Sequence, residues 1–128
     1  MFVVTFAYPH AADRPFDMQH FLDVHLPMGV ALCRRHLGLI PEKIVIHGPL
    51  AGGDGAAPIL GAASHCYFRT RTDAETFLRL FAVPEAAQKL IDDFPRYTSG
   101  PPQVLIGAVT ELGDMPLLCD QAERRGLI

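Results

Sequence analysis

This chain has few cysteines, no surplus of positive charge and no long apolar run. Its three cysteines, Cys33, Cys66 and Cys119, are far apart and odd in number. They form no CxxC metal pattern and no disulfide framework, which points to a reducing, cytoplasmic setting. Phe2 to Tyr8 is apolar but far short of a membrane span. No basic segment precedes it, so it makes a poor signal peptide, and its start directly after Met1 leaves no room for a targeting segment. Eleven Lys and Arg stand against 14 Asp and Glu, for a formal net charge of −3. That balance excludes a broad nucleic-acid surface, and the aromatic-basic strand pattern of an RNA-binding module is also missing. Gly52-Gly53-Asp54-Gly55 is followed by neither Lys-Ser/Thr nor a helix, so it is a hairpin tip and not a phosphate loop. No carboxylate cluster or diagnostic Cys/His spacing is visible. His20 and His25 stand five apart, so on an α-helix they do not share a face as the histidines of HExxH do. No metal and no cofactor is therefore expected, although a lone histidine can serve as a proximal haem ligand.

What is present suffices for one domain with a real core, since 49% of the 128 residues are hydrophobic. Phe2 to Tyr8, stopped by Pro9, is a strand with Phe2, Val4, Phe6 and Tyr8 on one face. Asp17 is a helix N-cap, with Phe16 and Phe21 at the spacing of a hydrophobic staple. That helix runs to about Leu37, with Gly38 as its C′ residue. Met18, Phe21, Leu22, His25, Met28, Gly29 and Leu32 form its apolar stripe. Glu42 to His47 and Ala62 to Thr70 are strands that pair across a long tip. Thr72-Asp73-Ala74-Glu75 forms a capping box with Thr72 as N-cap. It opens a second helix that restarts at Pro84 and ends near Asp93. Gln103 to Leu112 is the last strand, and residues 113–128 are a tail, frayed or crossing to a partner chain.

The order is βαββαβ, an α+β ferredoxin-like fold: one antiparallel sheet with two helices on one face. Its uncovered face carries enough apolar area to argue for a homodimer paired sheet to sheet.

His25-Leu26-Pro27 is the main chemical signal. Pro27 removes one helical hydrogen bond and clashes with the Asp23 carbonyl, so the helix is expected to open there. An imidazole titrates near neutrality, so His25 on the apolar stripe suits general acid–base work. The alternative is a buried histidine that fixes the kink. Tyr97 could donate to a carbonyl or oxyanion, or pack as a lid; Thr98 tightens its turn.

Phe16-Asp17, His25-Leu26-Pro27 and Asp93-Phe94-Pro95-Arg96-Tyr97-Thr98 together resemble the EthD family of the dimeric α/β-barrel superfamily, over about Met1 to Leu112. The resemblance implies a sheet-to-sheet homodimer, with a pocket between each sheet and its own helices or inside the barrel. It also implies kinship with cofactor-independent monooxygenases, polyketide cyclases, muconolactone isomerases and haem enzymes. Such a fold does not fix a reaction. The expectation is a cofactor-independent isomerase-, cyclase- or monooxygenase-like enzyme acting on a small apolar carbonyl compound, with His25 and Tyr97 catalytic. Tyr8, Phe21 and Met28 would bind the ligand, joined by His65 and Tyr67, which alternate with Arg69 on their strand, if that face lines the barrel; otherwise His65 and Tyr67 are an interface or solvent-facing stripe. The rival reading is a non-catalytic ligand-binding or accessory protein of a degradation pathway.

Overall fold

A computed structural model describes residues 1–128. Strands β1 (Phe2–Pro9), β2 (Lys43–His47), β3 (Leu50–Ala51), β4 (Pro58–Phe68) and β5 (Gln103–Ala108) form one antiparallel sheet. Its order is β2-β4-β1-β5, with the short β3 also paired to β4. Both long connections carry their helices across one face of the sheet, as the βαββαβ order requires.

Register assigns the two faces. Val4 lies opposite Cys66, Phe6 opposite Ser64 and Tyr8 opposite Ala62. These residues are buried and face the helices, where they join Phe21, Leu32, Cys33, Phe77, Leu80 and Leu90 in the core. The alternate residues Val3, Thr5, His65 and Tyr67 face away.

The first helical connection departs from the expected kink. It comprises α1 (Met18–His20), a π-helical turn (Phe21–His25) and α2 (Leu26–Leu37), with no break between them. The Leu26 N–H bonds to the Phe21 carbonyl five residues back. Pro27 thus enters in the first turn of a new α-helical stretch, where its missing N–H costs least. The helix does not open. It widens by one turn, a form common at functional sites. The widening also shifts the buried stripe. Leu22, placed on it by strict 3.6-residue spacing, is 44% exposed, and Leu26 packs against the core in its stead.

The Asp17 side chain caps α1 by accepting from the His20 N–H, and the Phe16 and Phe21 rings meet at 5.2 Å as the staple predicts. Gly38, with φ at +64°, closes α2 in the left-handed region. The next helix, α3 (Arg71–Leu78), begins earlier than the capping-box reading placed it. Thr70, not Thr72, accepts the Asp73 N–H at 3.1 Å. Thr70 is still extended as the chain leaves β4, and the Glu75 carboxylate that would have closed the box pairs with Arg71. A 3-10 turn (Arg79–Ala82) leads to α4 (Pro84–Asp93), and another (Phe94–Arg96) leads toward β5. Strand β5 ends at Ala108, short of the expected Leu112. The tail folds as α5 (Met115–Arg124), capped by Asp114, with no buried residue. No helix is long and apolar enough to cross a membrane.

Candidate active site

Five polar side chains, His20, His25, Asp93, Tyr97 and Tyr8, meet where the π turn packs beside the end of α4. His25 Nδ1 lies 3.0 Å from Asp93 Oδ2, and His20 Nε2 lies 2.9 Å from Asp93 Oδ1. Five-residue separation puts two side chains on different faces of an α-helix, but the wider π turn, with its i→i+5 hydrogen bond, swings them closer to one face. His20 and His25 therefore point to the same carboxylate, contrary to the α-helical reading of their spacing. On its other side, His25 Nε2 lies 3.1 Å from the Tyr97 hydroxyl. That hydroxyl lies 3.2 Å from the Tyr8 hydroxyl. The result is a chain, Asp93–His25–Tyr97–Tyr8, running from the edge of the helical layer to the sheet.

All four residues are buried, and aromatic rings hold them in place. Phe21 stacks on His25 at 5.7 Å, and Tyr97 packs against Tyr8, Phe16 and His25 at 5.5, 5.4 and 4.5 Å between centroids. The backbone carbonyl of Tyr97 accepts the Asp17 N–H at 2.8 Å, which ties its loop to the start of α1. The Thr98 hydroxyl donates to the Gly100 carbonyl and tightens that loop, as its type suggests.

Electrostatics fix the proton arrangement. Burial pushes the Asp93 carboxyl up, but hydrogen bonds from His20 and His25 outweigh it and hold the group below the usual carboxylate range. It is therefore an anion at neutral pH and accepts Nδ1–H of His25. Burial lowers His25 below the ordinary imidazole value, against the pull of Asp93, so the resting ring is neutral and Nε2 is an acceptor. Burial raises both phenols, Tyr8 to about 12 and Tyr97 further, so neither ionises at rest.

A single hydroxyl hydrogen on Tyr97 can serve either Nε2 of His25 or the Tyr8 oxygen, not both. Two orders of the chain follow. With His25 neutral, Tyr8 donates to Tyr97 and Tyr97 donates to His25. With His25 protonated, every hydroxyl turns round, and the Tyr8 hydrogen points outward. Moving between them transfers one proton between His25 and whatever touches Tyr8.

What Tyr8 faces is an apolar pocket between the sheet and the helices. Phe6, Phe21, His25, Leu26, Ile44 and Phe77 are among the residues that line it, with Ser64 and Cys66 on the sheet. No lysine, arginine or carboxylate lines it.

The expected site residues therefore divide. His25, Tyr97, Tyr8 and Phe21 converge on the helix side of the sheet. Met28 packs at the rim of the core and does not line the pocket. His65 and Tyr67 lie on the opposite face, so they cannot share a pocket with His25. There His65 Nδ1 meets Thr5 Oγ1 at 2.8 Å, His65 Nε2 meets His47 Nδ1 at 3.1 Å, and Lys43 lies over the Tyr67 ring at 4.9 Å. Asp93 was part of the loop motif but had no assigned role. The only signal that could have found it was its place at a helix end before a tyrosine loop. No group of three or more His, Cys, Asp or Glu side chains is arranged to hold a metal ion.

No protein-family model matches the chain, and no curated protein does. Solved structures do. An EthD-like protein from Ralstonia eutropha JMP134 is 24% identical, with a TM-score of 0.64 over 88% of this chain and 95% of that one. An ethyl tert-butyl ether D (EthD) family protein from Bacillus halodurans C-125 is 14% identical, with a TM-score of 0.57 over 86% and 99%. The chain thus has the fold of EthD-like proteins, the group its sequence motifs resemble.

Proposed function

We propose that this chain is an EthD-type enzyme that relocates a proton on a small, neutral carbonyl compound held against Tyr8. The observation that carries this reading is the hydrogen-bonded chain Asp93–His25–Tyr97–Tyr8, anchored by an anion at one end and open to an apolar pocket at the other. In the resting order the Tyr8 oxygen takes a proton from the carbon next to the carbonyl. The Tyr8 hydrogen moves to Tyr97, that of Tyr97 moves to His25, and Asp93 stabilises the imidazolium that forms. Reversal returns a proton to a different atom of the ligand, so nothing is gained or lost overall. Isomerisation and ring closure both fit such a step. The phenols pass protons without becoming phenolates, which their raised values would oppose.

A simple ketone tests this without knowledge of the natural substrate. Cyclohexanone in D2O should exchange its α-hydrogens faster with the protein present. Tyr8→Phe and His25→Gln should each remove most of that rate, by about 100-fold or more if the relay acts as a general base. Exchange that survives both substitutions would leave the accessory-protein reading, in which the pocket only binds.

Partnering through the open face of the sheet belongs to the same proposal. Val45 is 38% and Leu105 50% exposed, in one row with His65 and Thr5 between them, and Val3, Ala7 and Tyr67 lie in the neighbouring rows of the same face. A homodimer would cover this face. Sedimentation equilibrium at micromolar concentration should give twice the 14.0 kDa chain mass; a single-chain mass would refute the dimer.

A further inference from the structure

Ser64 sits in the middle of β4, opposite Phe6, and is 1% exposed. Its hydroxyl is the one buried side-chain polar atom with no hydrogen-bond partner in the molecule. Buried hydroxyls are rarely left this way, and each such case calls for an explanation. The hydroxyl belongs to the lining of the apolar pocket, on its sheet floor. Cys66 lies two residues along on the same face. Burial pushes that thiol up to about 12, so it stays neutral, and a neutral thiol is only a weak acceptor.

We infer that Ser64 is the residue that selects the ligand, donating its hydroxyl hydrogen to a single neutral oxygen carried into the pocket. This rests on the proposed use of the same pocket for proton transfer, and it narrows the substrate class. The ligand is a small ketone, aldehyde, ester or lactone whose oxygen points at the sheet and whose remaining atoms are hydrocarbon. Carboxylates and phosphates are excluded, because no lysine or arginine lines the pocket to pair with them. With its oxygen on Ser64 and its flank toward Tyr8, the ligand presents a hydrogen next to the carbonyl to the end of the relay. The Ser64 bond withdraws electrons from that carbonyl and makes the hydrogen easier to remove.

Two probes of nearly equal shape separate the hydroxyl from the pocket: cyclohexanone and methylenecyclohexane, which replaces C=O by C=CH2. Binding is followed by amide shifts of pocket residues in 1H–15N NMR spectra, for wild type, Ser64→Ala and Tyr8→Phe. The ratio of ketone to alkene affinity should be about 10-fold higher in wild type than in Ser64→Ala, the discrimination expected of one hydrogen bond. Ser64→Ala should keep the alkene affinity of wild type. Its melting temperature should be no lower than that of wild type, since no internal bond is lost. Ketone preference that persists in Ser64→Ala but disappears in Tyr8→Phe would overturn the assignment of Ser64 and leave the pocket reading intact. Failure of both probes to shift any pocket amide in wild type would overturn the pocket reading itself. An internal partner for Ser64 would show as a fall in melting temperature of Ser64→Ala with the preference for ketone retained.

Discussion

Replacing Asp93 by asparagine keeps the shape of the site and removes its charge. Asp93 accepts from both His25 and His20, at 3.0 and 2.9 Å. A hydrogen bond to a charged partner contributes about 1.5–3 kcal/mol. The His25 bond is buried and counts in full, whereas the His20 side chain is more exposed and counts for less. Asparagine keeps one acceptor oxygen but turns an N–H toward the other ring, where it meets a donor. The net loss should be about 2–3 kcal/mol at pH 7, or a fall in melting temperature of about 10 °C for a chain of this size. Urea unfolding followed by circular dichroism measures it. The pH dependence carries a second signature. The folded value of Asp93 lies below its unfolded one, so its stabilisation is complete above the unfolded value and fades as pH falls through the folded value. The gap between wild type and Asp93→Asn should therefore narrow in acid. A variant within about 0.5 kcal/mol of wild type at pH 7 would refute the anchoring role.

Two other expectations concern stability alone. Thr70→Ala should cost about 1 kcal/mol through loss of the α3 cap, while Thr72→Ala should cost little, and urea midpoints of the two decide which threonine caps the helix. His25 titrates lower when folded than when unfolded, so the unfolded chain binds more protons in the window between the two values. Stability should therefore fall as pH drops from the ordinary imidazole value toward the folded one, and His25→Gln should flatten that slope in thermal melts.

Much of this fold was legible in the sequence because each signal was local. Alternation in Phe2 to Tyr8, the Asp17 cap with its Phe16–Phe21 staple, and Pro84 at the start of α4 each depend on a few neighbouring residues. The π turn was not legible, because a stripe counted at 3.6 residues assumes the very geometry that Phe21–His25 abandons. The same assumption set His20 and His25 apart when the widened turn brings them together. Asp93 was missed because its partner His25 stands 68 residues away, a contact made only by the packing of α4 beside the first helix. His65 and Tyr67 were chosen for their alternation, which is correct, but alternation alone does not say which face the helices cover.

The tautomer of His25 tests the central claim most directly. Long-range 1H–15N NMR at pH 7.5 distinguishes a protonated ring nitrogen from one that only accepts. The relay requires a neutral ring with hydrogen on Nδ1, toward Asp93, and a bare Nε2 toward Tyr97. Hydrogen on Nε2 alone, or an imidazolium at that pH, would contradict the proposed direction of proton flow from the pocket to His25.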